Sequence, residues 1–452
     1  MARTRPAPRP RADFPPLPES VTDNRIGLVG VACALFALGL CLARPEMSAA
    51  AFVLVLIAAY ALPVAVLETA LLRTHRRAST GLDWSRPCRP DPGRVLTKLL
   101  GVTATVAAVL AAHGLFRVYA PAQLAVPFAL FVALLPALAV VTPAYVAFVD
   151  GRQRSPHDIY WQIGAFLTGQ RGAPELPALA DHALGWTIKG IFLPIMVFYL
   201  HANGLRLDEI RAGLSGGLIE LVVALTMVAI IVELTIVCTG YALTLRALDA
   251  HIRSPNPLIG AWVVTLVCYE PLNRIVTGVV LRYRTERDWA EVLPDYPILM
   301  WPWIVALLAS FALWVWATAI FGLRWSNLTH RGIITGGPYR LTKHPDYVAK
   351  SAFFWLSAAP FLTATDAWTA VRATVAMLAV NLIYYGRARM EERHLSQDPA
   401  YVAYALAMNE RSLFRGLARL LPLLRYRAPG ARPEEAVVPD SEGPVAGGEH
   451  SA

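Results

Sequence analysis

The chain has 452 residues, 56% hydrophobic and only 16% charged, with a formal net charge of +9. That balance excludes a soluble globule, in which about a quarter of residues are charged, and describes a polytopic membrane protein. The positive charge is carried almost wholly by arginine and shows no basic tract interleaved with stacking aromatics, which excludes nucleic acid as a partner and fits loops facing anionic lipid.

Residues 1–22 are rich in Pro and Arg without an apolar stretch and read as a disordered basic leader, not a cleavable signal peptide. Apolar runs then recur at 26–42, 49–72, 95–118, 124–148, 187–200, 218–243, 258–281 and 298–323, and two more, 348–362 and 367–385, form a terminal hairpin. The expected fold is therefore an all-α polytopic transmembrane helical bundle of about ten spans. Its parts are the leader (1–22), an N-terminal multi-span region (23–296), a C-terminal core built on the hairpin (297–425) and a Pro-, Gly- and Glu-rich disordered tail (426–452). Cys33, Cys41, Cys88, Cys238 and Cys268 show no CxxC spacing, and four lie in apolar runs; they read as small buried residues, with no metal site or disulfide framework.

Basic residues choose the orientation. Arg3, Arg5, Arg9 and Arg11 precede the first run, Arg73, Arg76, Arg77, Arg86, Arg89 and Arg94 follow the second, and Arg324, Arg331, Arg340 and Lys343 follow the eighth. With ten spans these loops and both termini face the cytoplasm, and the arginine-heavy composition suggests a bacterial inner membrane. Arg282, Arg284 and Arg287 fall on the opposite side, against the rule. An amphipathic stretch around His157–Leu167 reads as a surface helix. Glu68, Glu233, Glu270 and Arg274 sit in or near apolar runs and must face the bundle interior, Glu270 and Arg274 pairing at i,i+4. Asn327-Leu328-Thr329 matches a glycosylation sequon, but in a cytoplasmic loop the match is accidental.

The terminal hairpin is bracketed by polar motifs: Gly336-Gly337-Pro338-Tyr339-Arg340 and Lys343-His344-Pro345-Asp346-Tyr347 before it, and the stretch from Arg387 through Glu391-Glu392 to Leu395 after it. If both arms cross the membrane, the motifs meet on one side. Pro345 suits a first helical turn, which places His344 or Lys343 at the cap. Gly336-Gly337 gives a turn with little bulk where backbone can approach a ligand. Arg387 and Glu391 share one helix face, and Tyr385, Arg389 and Glu392 the neighbouring stripe.

These residues resemble the isoprenylcysteine carboxyl methyltransferase family of membrane enzymes, which includes phospholipid methyltransferase-like proteins. The shared pattern is G-P-Y-x-x-x-[RK]-H-P-x-Y, a hairpin, R-x-x-x-E-E-x-x-L and Y-x-x-Y, here ending in Tyr401 and Tyr404, over about the last third of the chain. The chain departs from the family's habit at Ala349-Lys350 and in its ending after Tyr404. The resemblance implies S-adenosylmethionine as methyl donor, bound by Gly337, Tyr339, His344, Pro345, Tyr347 and Glu391. It also implies a lipid or lipid-linked acceptor entering from the bilayer.

A carboxylate acceptor, the first expectation, needs only a cation such as Arg387 or Arg389 to orient it. An amine or hydroxyl needs deprotonation, for which Glu391, Glu392 or His344 stand nearby. The acceptor's tail is expected along Trp314, Trp316 or Phe354, in a cleft between the hairpin and the earlier bundle. Two other readings remain: an NADPH-dependent reductase of the sterol-reductase type, which shares an R-H-P-x-Y motif but lacks the Glu391-Glu392 pair, and a transporter with a non-catalytic hairpin.

Overall fold

The computed structural model describes residues 16–44, 46–85 and 87–429. The basic positions Arg3, Arg5, Arg9, Arg11 and Arg86, most of the leader and the tail from 430 lie outside the described residues. In order, the helices are α1 (Asn24–Leu42), α2 (Ala49–Leu71), α3 (Pro92–Phe116), α4 (Pro121–Asp150), α5 (Ile159–Leu167), α6 (Leu176–Gly204), α7 (Leu207–Leu214) and α8 (Leu218–Ala242). The second half holds α9 (Ile259–Leu266), a π-helical segment (Arg274–Leu281), α10 (Trp289–Val292), α11 (Pro297–Ala319), α12 (Pro345–Ala358), α13 (Pro360–Thr363), α14 (Ala367–Leu395), α15 (Pro399–Arg411) and α16 (Arg415–Leu420).

Eight of these, α1, α2, α3, α4, α6, α8, α11 and α14, are long and apolar enough to cross a membrane. Two broken arms run the same depth and account for the expectation of about ten. The first leaves Asn256, whose Nδ2 donates to Met390 O near the end of α14, and reaches Arg282, whose carbonyl accepts from Arg372 near the start of α14. The second starts at His344 and ends where Thr285 Oγ1 meets Thr363 Oγ1 at 2.5 Å. It breaks at Ala359, which takes a left-handed φ of 40° before Pro360, a residue with no N–H to continue the helical ladder. The first arm's break over 267–271 also removes the helical spacing that would join Glu270 to Arg274, and no ion pair links them among the described residues.

Helix α8 is the hub. Its apolar window is 61% buried, against 6% for α4, so α8 packs against protein on nearly all sides while α4 presents its apolar surface outward. The largest core cluster joins α8 through Ile231, Val237 and Tyr241 to Phe52 and Leu56 of α2 and to Ile188 and Phe192 of α6. Helix α5, the expected surface helix, docks one face on α3 and leaves Phe166 and Leu167 exposed: a Cβ on Gly101 would come within 2.0 Å of Tyr160 O, and one on Gly164 within 1.9 Å of Thr97 O. Only glycine at both places lets the backbones approach so closely.

Long-range polar ties fasten the N-terminal region to the C-terminal core. Glu68 of α2 accepts two bonds from Arg324 Nη1, at 2.8 and 2.7 Å, with both side chains almost fully buried. Arg331 is spent on backbone: Nε donates to Ala250 O and Nη1 to Gly240 O, both at 2.8 Å, and Nη2 to Leu323 O at 3.0 Å. Strands β1 (Ser254–Pro255) and β2 (Thr329–His330) pair antiparallel beside them. Order begins before the first helix, because Val21 N donates to Ile333 O and Thr335 Oγ1 to Pro18 O.

The arginine distribution predicts that the end carrying His344 and Glu392 faces the cytoplasm. In a cysteine-free background, a cysteine at exposed Thr365 is expected to react with an impermeant thiol reagent on intact spheroplasts, and one at exposed Gln397 to stay unlabelled. Labelling at Gln397 but not Thr365 would reverse the orientation.

Candidate active site

The two hairpin motifs meet where α12 begins and α14 ends. His344 is the N-cap of α12 and Pro345 its first residue, as expected, yet the His344 side chain makes no capping bond. It turns to α14, where Nε2 donates to Glu392 Oε1 at 3.3 Å and Nδ1 lies 3.8 Å from Glu391 Oε2. One turn on, Tyr347 stacks on the His344 ring and its hydroxyl donates to Glu391 Oε2 at 3.0 Å.

The two adjacent glutamates have different surroundings. Glu392 is buried and meets Lys343 Nζ at 2.6 Å, His344, and Arg389 from its own helix. Two cations and an imidazole around one carboxylate make a clamp between the motifs. Burial lowers the pKa of Lys343 while the Glu392 charge works against that shift. Glu391 is 41% exposed at the side chain and lines the cleft. The arginines divide in the same way: Arg387 is buried in the cleft wall, whereas Arg389 points toward Glu392 and Arg425 O.

Arg387 is the most elaborately held of these groups. Its guanidinium lies 5.3, 5.7 and 5.9 Å from the ring centres of Tyr347, Tyr384 and Tyr269. Nη2 donates to Asn327 Oδ1 at 2.9 Å, and Asn327 Nδ2 in turn donates to the Tyr241 and Tyr269 hydroxyls at 3.0 Å. Its Nε is buried without a partner. Arg324 and Arg331 also line the cleft, but they are engaged with Glu68 and with backbone carbonyls. Arg387 is thus the cleft arginine that keeps an unanswered donor.

Tyr339 lines the cleft opposite, positioned by Tyr404, whose hydroxyl donates to Tyr339 O at 2.7 Å. Burial and the charges of Asp346 and Glu391 hold the Tyr339 phenol well above its usual pKa, so it stays a neutral donor. Gly337 and Pro345 stand apart from the lining. Gly337 takes a φ of 50°, and a Cβ there would come within 2.8 Å of Ile320 Cδ1 and 2.9 Å of Asn24 Oδ1, so its bareness serves packing against α1 and α11.

The cleft opens to the surface and encloses about 100 Å³. Residues 297–397 match the isoprenylcysteine carboxyl methyltransferase (ICMT) family. That match supports a membrane methyltransferase. No curated protein and no solved structure matches the chain. The ICMT-matching segment contains α11, both hairpin arms and each of the cleft residues named in the sequence, whereas Asn327's partners Tyr241 and Tyr269 come from outside it.

Of the tail contacts expected for an acceptor, Trp314 and Phe354 belong to one aromatic cluster with Phe311, Phe353 and Tyr384. Trp316 instead bonds Asn24 through its indole N–H. Asn327, Tyr241, Tyr269 and Tyr384 were not singled out by sequence reasoning. The tyrosines sit in apolar runs where they look like core, and Asn327 stood out only as a sequon.

Proposed function

We propose that the protein transfers a methyl group from S-adenosylmethionine to a lipid or lipid-linked acceptor at the cytoplasmic face of the membrane. The observation that carries this reading is the meeting of His344 and Tyr347 with Arg387 and Glu391 in one cleft within the ICMT-matching segment. The donor supplies an electrophilic methyl carbon on a sulfonium. The residues of the cleft suit its amino-acid end, with Arg387 offering N–H to a carboxylate and Glu391 an acceptor to an ammonium. Tyr339, Tyr347 and His344 provide aromatic wall for the remainder.

Such a displacement needs aligned partners and little water more than it needs a covalent nucleophile. The Glu392 clamp meets the first need by locking the two arms at their cytoplasmic ends. The aromatic cluster around Trp314 and Phe354 meets the second, offering apolar surface for an acceptor's chain beside the cleft. The test is transfer of labelled methyl from S-adenosylmethionine into a membrane lipid extract by the full-length protein. Label in the lipid phase, lost on heating the protein, is the expected result; absence of label across lipid classes would count against the reading.

A further inference from the structure

Two carboxylates line the cleft among the described residues, Asp346 and Glu391, and they are not equivalent. Glu391 is water-accessible and already accepts from Tyr347. Asp346 is mostly buried: Oδ2 accepts from Lys350 Nζ at 2.9 Å, while Oδ1 is buried and has no partner. Lys350, at 9% side-chain exposure, also lies 3.7 Å from Glu233 Oε1 of α8 and 4.9 Å from the centre of the Trp314 ring. Trp314 Nε1 donates to that same Glu233 oxygen at 3.0 Å.

Two carboxylates therefore share one ammonium in a buried setting, and the oxygen left without a partner belongs to a cleft residue. A buried acceptor left unanswered is rare without a functional reason. Lys350 and Glu233 fix the direction in which Asp346 presents that oxygen.

We propose that Asp346 is the general base of the transfer, that Lys350 and Glu233 are its positioning residues, and that the acceptor's methylated atom is protic, a lipid-borne hydroxyl or amine. In the step, the lone pair of the acceptor oxygen or nitrogen forms the bond to the methyl carbon. The carbon–sulfur bond breaks with its electrons going to sulfur, and the acceptor's proton passes to Asp346 Oδ1. A carboxylate acceptor would bring no proton to remove. The inference rests on methyl transfer occurring in this cleft and departs from the carboxylate suggested by the family resemblance.

The test uses the full-length protein, methyl-labelled S-adenosylmethionine and a membrane lipid extract, followed by mild alkali. A methyl ester releases labelled methanol, whereas an ether or methylamine does not. Alkali-stable label is expected. Asp346→Asn should lower kcat by ~100-fold or more, the scale of general-base catalysis, with S-adenosylhomocysteine affinity little changed. Asp346→Glu should recover part of the rate, and Lys350→Arg should exceed Lys350→Met in kcat at similar affinity. Alkali-labile label, or Asp346→Asn working at the wild-type rate, would overturn the proposal. Failure of the wild type to bind S-adenosylhomocysteine would remove the methyltransferase reading beneath it, an outcome distinguishable from both.

Discussion

Replacing Arg387 with alanine is expected to weaken S-adenosylhomocysteine binding by roughly 10- to 150-fold, from the ~1.5–3 kcal/mol that a hydrogen bond to a charged group contributes. The side chain is the proposed anion ligand of the cleft, its Nε unpartnered and its guanidinium held among three tyrosine rings and Asn327. Lysine should rescue little, because a point charge cannot use a planar, ring-stacked seat. Asn327→Ala should lose less, since it frees the guanidinium's orientation while leaving its charge in place. Calorimetric titration of the purified variants gives the affinities, and an unchanged thermal midpoint without ligand separates binding from folding. Wild-type affinity in Arg387→Ala would take Arg387 out of the donor site.

Breaking the buried pair of Glu68 and Arg324 is expected to have the largest effect on stability. Each side chain is at most 2% exposed, so Glu68→Leu or Arg324→Met alone strands a buried charge and should cost about 3–5 kcal/mol. The double variant Glu68→Leu with Arg324→Met removes both charges and should recover most of the loss. Because Glu68 belongs to α2 and Arg324 follows α11, the single variants should also loosen the site: Arg324 Nε donates to Asp249 O beside the cleft's other wall. Chemical denaturation in detergent measures both quantities. A double variant as unstable as the worse single variant would mean that the pair is not an independent unit.

Much of this site was legible locally. The cap at His344, the first-turn proline and the division of Arg387 and Glu391 from Arg389 and Glu392 follow from helical spacing alone, and the structure sets the first pair in the cleft and the second in the clamp. Spacing fails where the backbone departs from a continuous helix. The run 258–281 is apolar enough to look like one span, but it breaks over 267–271, where Pro271 has no N–H to continue the helical ladder. The same limit applies to partners far apart in sequence. Nothing near Lys350 announces Glu233, and nothing near Asn327 announces Tyr241. Gly337 shows the converse, a residue whose type was read as permitting close approach and which Ile320 and Asn24 approach closely. Arg331 looked like topogenic loop charge, yet it is a buried tie for backbone carbonyls, a role to which a count of loop charges is blind.

The central claim, that the hairpin motifs form a donor site, is tested most directly by thermal stabilisation of the purified full-length protein with S-adenosylhomocysteine and, in parallel, with NADPH. Ligand bound to the native state raises stability by RT ln(1 + [L]/Kd), about 2.7 kcal/mol at a hundredfold excess over Kd. S-adenosylhomocysteine is expected to raise the midpoint in the wild type and far less in Glu391→Ala and His344→Ala, with NADPH inert. Stabilisation by NADPH alone, or equal stabilisation of wild type and both variants by S-adenosylhomocysteine, would contradict it.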